Sequence, residues 1–360
     1  MFSRFFQKFD WWLNLSILFL FAASLISLLS AQPQLFWKQI IWIILGYALA
    51  YSIIAFDWRS FINYKGVILG IYGLSNFLLI VTLVVAPNIN GHRSWIPIGP
   101  FQFQASVFAA LALIIVLANF FKKKHASIAR ISSLAQSFVY FLIPAGLILL
   151  EKDMGSTLLL FLIWFGFVLV SGIPWKKLLI LFLIFAVVGT GMWFYFLKDY
   201  QKQRVIGLFS PNKDVLGINY NVAQAKIAIG SAGVFGKGFR QGTQVQLGFL
   251  PEAQTDFIFS AIIEEWGLLA GFLMIVALTS IIVRIVYIGM EERNNFNRFI
   301  CLGTAIFFCA SFIFNTGSNT GLMPVIGVPF PFLSYGGSHL FIEMMLVGMV
   351  QSVKYRKTYV

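Results

Sequence analysis

Phe249-Leu-Pro-Glu-Ala-Gln-Thr-Asp-Phe-Ile-Phe-Ser-Ala-Ile-Ile-Glu-Glu-Trp-Gly267 opens polar and closes inside an apolar run that continues to about residue 288. Asp256 stands at the change. The stretch reads as the mouth of a membrane helix, and Phe235-Gly-Lys-Gly-Phe-Arg-Gln-Gly-Thr-Gln244 just before it is basic and glycine-rich. Two readings of Asp256 stand side by side. An acid suits the first turn of a helix, where it accepts from free backbone N–H groups and meets the positive end of the dipole. A carboxylate beside a cationic loop at a membrane surface also suits chemistry on an anionic substrate.

Working outward, the composition supports the membrane reading. Of 360 residues, 59% are hydrophobic and 11% charged, with a mean hydropathy of +0.85. This is the composition of a polytopic membrane protein. Ten apolar spans are expected, at about 11–30, 36–56, 66–86, 104–121, 134–150, 156–172, 178–197, 256–288, 299–316 and 338–353. The first is too long for a signal-peptide core and lacks a clean cleavage pattern, so it is read as a helix. The fold class is therefore an all-α polytopic membrane protein, one domain over residues 1–360. It has about ten transmembrane helices and a large extracytoplasmic loop, about 198–255, before the eighth.

The net charge of +13 raises the question of nucleic acid, and its distribution answers it. With the N-terminus inside, the inner segments carry Arg4, Lys8, Arg59, Lys65, Lys122, Lys123, Lys124, Arg130, Lys176, Lys177, Arg284, Arg293, Arg298, Lys354, Arg356 and Lys357, whereas the short outer ones carry only Lys38, Arg93 and Lys152. The asymmetry predicts cytoplasmic termini. Lys122-Lys-Lys124 then reads as an anchor near anionic membrane lipid, with no nucleic-acid partner. The three histidines lie far apart in sequence and give no metal-ligand spacing. Cys301 and Cys309, eight residues apart on one expected helix, sit roughly 12 Å from each other, too far for a disulfide.

The long loop is basic too, with Lys198, Lys202, Arg204, Lys213, Lys226, Lys237 and Arg240 against Asp199, Asp214 and Glu252. Within it, residues 221–230 read as a short amphipathic helix on the membrane, with Val222, Ala225, Ile227 and Ile229 apolar and Lys226 polar. Three more outer segments are irregular: Asn90-Gly-His-Arg-Ser-Trp-Ile96, Glu151-Lys-Asp-Met-Gly-Ser-Thr157, and the helix-breaking run from Asn315 to Ser338. Non-helical backbone at membrane depth survives only when buried in protein or lining a cavity. All the irregular, polar sequence thus collects on one face.

These same stretches carry a resemblance. Asn90 to Ile96, Lys152 to Thr157, Ala228 to Gly233 with Gly236-Lys-Gly238, Gly242-Thr-Gln244, Leu250 to Phe259, Glu264-Glu-Trp-Gly267 and Pro324 to Ser338 resemble, in order, the SEDS family of membrane glycosyltransferases, the RodA, FtsW and SpoVE group. The resemblance covers nearly the whole chain and is nearer RodA. It implies a bacterial cytoplasmic-membrane enzyme that polymerises lipid II into peptidoglycan for cell-wall elongation and cell shape, in partnership with a class B penicillin-binding protein. It implies Asp256 as general base. Arg93, Lys152, Lys226, Lys237 and Arg240 are candidates for the pyrophosphate. Trp95, Asp153, Gln244, Glu252, Ser334 and Ser338 complete the substrate-binding set. Asp153 or Glu252 could hold a divalent cation, Mg²⁺ or Mn²⁺. Ser334 and Ser338 read as residues that shape the cavity and cap the last span.

One stretch departs from the family. Where it has Gln-Pro-Ser-Glu-x-x-Lys, this chain has Gln104-Ala-Ser-Val-Phe-Ala-Ala110. Acid and base are lost together, so no unpaired charge is left to bury. Glu264, roughly 80° around the helix from Asp256, reads either as functional or as a buried partner for a cation on another helix, and Glu265 faces away from Asp256. Two other function classes remain: a flippase for lipid-linked precursors, which would place polar groups on both faces and near the midplane, and a non-catalytic scaffold for a penicillin-binding protein.

Overall fold

A computed structural model of the chain describes residues 10–56, 58–59, 64–87, 93–99, 101–124, 131–195, 199–209, 217 and 219–357. Helices dominate. In order they are α1 (Trp11–Ala31), α2 (Pro33–Ala55), α3 (Lys65–Val85), a hairpin of β1 (Ile96–Ile98) and β2 (Phe101–Phe103), α4 (Ala105–Lys124), α5 (Ile131–Leu150), α6 (Met154–Val170), α7 (Trp175–Tyr195), α8 (Asp199–Phe209), α9 (Tyr220–Ser231), α10 (Thr243–Gln246), α11 (Ile258–Glu291), α12 (Asn295–Thr320) and α13 (Gly337–Lys357). Each of the ten expected spans falls on a helix, α1 to α7 and α11 to α13. Among the described residues, eight helices are long and apolar enough to cross a membrane. α6 has 17 residues, and α13 is less apolar, carrying Glu343 and Gln351.

The centre of the bundle is α4. Its alanine-rich run packs against α3, α5, α6, α12 and α13, and Ala109 to Ala118 are all buried. Small residues let neighbouring backbones approach where lipid supplies no hydrophobic drive between helices. Val107 and Ala110 belong to this core, 2% and 0% exposed, so the missing acid–base pair is replaced by packing. Large apolar side chains such as Leu69, Phe77, Val84, Phe182, Phe272 and Val283 stay exposed on the outer helical faces, where lipid takes the place of water.

At the end of the bundle away from Asp256, Asp10 accepts from Arg284 Nε and Lys354 Nζ, both at 2.7 Å, and joins α1, α11 and α13. Burial opposes its charge, but the hydrogen bonds from Lys354, Leu13 N–H and Arg284 outweigh it and hold Asp10 below the usual carboxylate range.

The structure differs from the sequence reading in three places. Residues 96–103 form an antiparallel hairpin pairing Ile96 with Phe103. The long loop holds three helices, and α9 packs against α11 and α12 with Ala225 and Ala228 fully buried. The eighth span is a 34-residue helix broken at Gly267.

Candidate functional site

The break in α11 builds the platform of the site. At Gly267 the backbone leaves the helical region, with φ 85° and ψ 175°, a conformation open to glycine. A break frees backbone donors and acceptors, and at membrane depth each must find a partner. The loop after α9 supplies them. Lys237 and Gly238 N–H donate to the carbonyls of Glu264 and Glu265 at 3.0 and 2.9 Å, and Leu268 and Leu269 N–H donate to Gly233 and Val234 at 3.0 and 3.2 Å. The approach is so close that a Cβ on Gly236 would lie 2.2 Å from Glu265 O.

Two acids complete this joint. Glu264, fully buried, accepts from Lys237 Nζ at 2.8 Å and from Gln244 and Val245 N–H at 2.9 and 3.3 Å. Glu265 accepts from Ser30 Oγ and Gln246 Nε2, and Arg240 donates to Leu29 O at 3.1 Å. Glu264 is therefore the buried partner of a cation, as the sequence allowed, but that cation is the partly exposed Lys237 on the adjoining loop and not on another helix. Lys237 and Arg240, expected near the pyrophosphate, and Gln244, expected to bind substrate, sit in the joint, and Lys237 is already ion-paired. Lys213 of the long loop lies outside the described residues, as do Asn90 and His92.

Asp256 ends the turn that leads into α11. The N-cap position is Phe257, so Asp256 stands one residue outside the helix and is half-buried. Its backbone carbonyl accepts from Asn315 Nδ2 at 3.0 Å and Asn319 Nδ2 at 2.8 Å, both from α12. Ser334 Oγ donates to Thr255 O at 2.6 Å, Tyr335 N–H to Gln254 O at 2.9 Å, and Thr255 Oγ1 to Glu252 Oε2 at 2.9 Å. The turn is thus held from two sides through its backbone, and a Cβ on Gly327 would meet Asp256 Oδ2 at 3.7 Å. Asn315 and Asn319 were not singled out by the sequence. The expected span ended at 316 and the run from Asn315 read as helix-breaking, whereas the helix continues to Thr320 and puts the two amides, four residues apart, on one face.

The 326–328 segment has a second neighbour. A Cβ on Gly155 would lie 2.1 Å from Ile326 O, so the start of α6 abuts the same segment. Asp153 caps α6, accepting from Ser156 N–H at 2.9 Å and Oγ at 2.7 Å, and also takes Gln104 Nε2 at 3.2 Å. Ser338 Oγ donates to Gln102 O at 2.9 Å. Arg93 N–H donates to Glu151 O at 3.2 Å. The Glu151 side chain is 1% exposed, and neither carboxylate oxygen is hydrogen-bonded among the described residues. Burial, and then the nearby Asp153 charge, push it up to about 9. Lys226 lies beside Gly321 at the end of α12, and Trp95 is half-buried next to the hairpin.

The structure thus groups Asp256, Glu252 and Ser334 through the bonds of one turn, with Gly327 beside the Asp256 carboxylate. Asp153 and Ser338 are linked through Gln104, and Lys237, Gln244 and Arg240 lie in the joint. Lys152, Arg240 and Glu252 adopt left-handed backbone, with φ of 65°, 60° and 53°, which non-glycine residues hold only where the surroundings enforce it. Among the described residues no group of three or more His, Cys, Asp or Glu side chains could hold a metal ion. The carboxylates of Asp153 and Glu252 are bonded to neighbouring side chains.

Residues 3–359 match the family of cell cycle proteins that groups FtsW, RodA and SpoVE. The chain is 33% identical over 282 residues to the peptidoglycan glycosyltransferase MrdB of Escherichia coli (strain K12), covering 77% of this chain and 76% of that protein. It is 28% identical over 415 residues to the peptidoglycan glycosyltransferase RodA of Treponema pallidum (strain Nichols), covering 96% and 95%. A chain from a structure of a peptidoglycan synthase complex that coordinates polymerization and crosslinking is similar with a TM-score of 0.83, 32% identity and 98% coverage of both chains. The crystal structure of the rod shape determining protein RodA of Thermus thermophilus is similar with a TM-score of 0.71, 28% identity and 97% coverage of both.

Proposed function

Because the chain belongs to the family of cell cycle proteins that groups FtsW, RodA and SpoVE, we propose that its site polymerises lipid II by inverting transfer, with Asp256 as general base. The protein is a peptidoglycan glycosyltransferase of the membrane that serves cell shape. The observation that carries the mechanism is the holding of Asp256. Its backbone is fixed by Asn315, Asn319 and the Ser334–Thr255 bond, while its carboxylate lies outside the helix cap, half-buried beside Gly327.

In the proposed step, the C4 hydroxyl of an acceptor GlcNAc gives its proton to Asp256. Its oxygen attacks C1 of the lipid-linked MurNAc, and the C1–O bond to pyrophosphate breaks with the electron pair leaving on phosphate. A base positioned on the attacking hydroxyl speeds such a transfer by about 10²- to 10⁴-fold. The leaving dianion calls for donors and positive charge. Arg93, Lys152 and Lys226 are the basic candidates placed outside the joint, and Lys237 supports the platform through Glu264.

Purified protein given labelled lipid II in vesicles tests the reading. Glycan polymer supports it. Translocation without polymer would mark a flippase, and neither product would mark a scaffold. Both termini face the cytoplasm of a bacterial inner membrane in this reading, with Asp256 outside, and a class B penicillin-binding protein is the proposed partner. A cysteine at position 213 should react in cells with a membrane-impermeant thiol reagent, while one at position 123 should not. The opposite pattern would invert the topology.

A further inference from the structure

Three side chains from three separate segments form a line across the 102–106 junction. His339, in the first turn of α13, has Nε2 3.0 Å from Gln104 Oε1, and Gln104 Nε2 donates to Asp153 Oδ2 at 3.2 Å. A primary amide has an accepting end and a donating end. With its NH₂ on the carboxylate, Gln104 presents only oxygen to the ring, so His339 donates Nε2–H. Gln104 is 6% exposed, which leaves little water to stand in at either end. Ser338 fixes the same turn by donating to Gln102 O and accepting from Gln104 N–H at 3.3 Å. Since Val107 and Ala110 are buried and apolar, α4 makes its polar contacts here through Gln104, at its N-cap, and Ser106.

We propose that His339 is a positioning residue for the transfer at Asp256: through Gln104 it orients Asp153 and sets the start of α6 against the 326–328 segment, whose Gly327 lies beside the Asp256 carboxylate. The histidine ring, the amide and the carboxylate then act in series, and losing the first link releases the second. The proposal rests on the glycosyltransferase reading, and the tests separate the two.

Four purified variants decide it, each normalised to monodisperse protein. His339→Gln places an amide N–H near the position of Nε2. His339→Phe keeps a ring and removes the donor. Gln104→Leu removes the middle link, and the double variant His339→Phe/Gln104→Leu closes the cycle. With lipid II as substrate, His339→Gln should stay within about 3-fold of the parent kcat, and His339→Phe should lower kcat about 10- to 100-fold with KM little changed, as expected for misplacement without lost binding. The double variant should be no worse than Gln104→Leu, because links in series are not additive. Parent-like turnover in His339→Phe, equal losses in His339→Phe and His339→Gln, or additive losses in the double variant would overturn the assignment. A parent that makes no polymer would instead overturn the glycosyltransferase reading. The same cycle scored on melting temperature then judges the line itself, with coupled shifts upholding it and additive shifts removing it.

Discussion

Glu151 shows what a single buried acid does to this fold. Its carboxylate oxygens find no hydrogen-bond partner among the described residues, and burial with the nearby Asp153 charge pushes its pKa up to about 9, against an ordinary value of 4.5. A raised carboxyl pKa means that the folded state holds a proton the unfolded chain has released. The group costs no stability below about pH 4.5, and the penalty grows as pH rises toward 9. Glu151→Gln removes the titration and keeps the shape. Its melting temperature in detergent should match the parent at pH 4.5 and exceed it increasingly toward pH 8. A pH-independent difference would show that Glu151 is ionised in the fold. The sequence placed Glu151 in an irregular outer segment, but no local pattern distinguishes a buried carboxyl there from a solvated one. Burial is set by packing that brings distant segments together, as where Arg93 N–H reaches the Glu151 carbonyl.

At the scale of elements, the joint between α11 and the loop after α9 organises the outer face. At about 1.5 Å per residue, residues 268–291 extend about 36 Å, enough for a hydrocarbon core of about 30 Å. Residues 258–266 are therefore additional length, and the break at Gly267 separates the crossing from the segment that carries Asp256. Gly267→Ala would place a Cβ 2.1 Å from Val234 O in a backbone conformation unsuited to it. The loop would have to leave, abandoning its hydrogen bonds to both halves of the helix. The expected cost is above about 2 kcal/mol, read as a lower melting temperature and faster proteolysis within residues 233–242. Unchanged stability and protection would contradict the joint. The apolar run from Phe257 onward made the helix legible, but not its break. A glycine inside an apolar span is common, and only the loop packed on it reveals its φ.

Across the whole molecule, the long-range design was more legible than the contacts. Hydropathy placed ten helices, because the 20-residue apolar run is a local property of the chain. The strings around Asp153, Asp256 and Ser334 pointed to one face, and the structure brings two of them together across the 324–328 segment. The basic residues were harder to sort. Lys237 has the same charge and glycine-rich setting as a phosphate ligand, yet its ion pair is with Glu264, 27 positions away, a pairing fixed by the tertiary path of the loop. The Asp256 alternatives also turn on the fold, since capping depends on where the helix begins. With the cap at Phe257 and the turn held through backbone carbonyls by Asn315, Asn319 and Ser334, removing the carboxylate should leave the architecture intact.

That independence gives the central claim a direct test. Asp256→Asn keeps the size of the side chain and every backbone bond of the turn, and removes only the basic carboxylate. Glycan polymerisation from lipid II by monodisperse, purified Asp256→Asn protein should fall about 10²- to 10⁴-fold, with a melting temperature close to the parent. Polymer yield within a few-fold of the parent would contradict the account and leave Asp256 a structural residue of the turn.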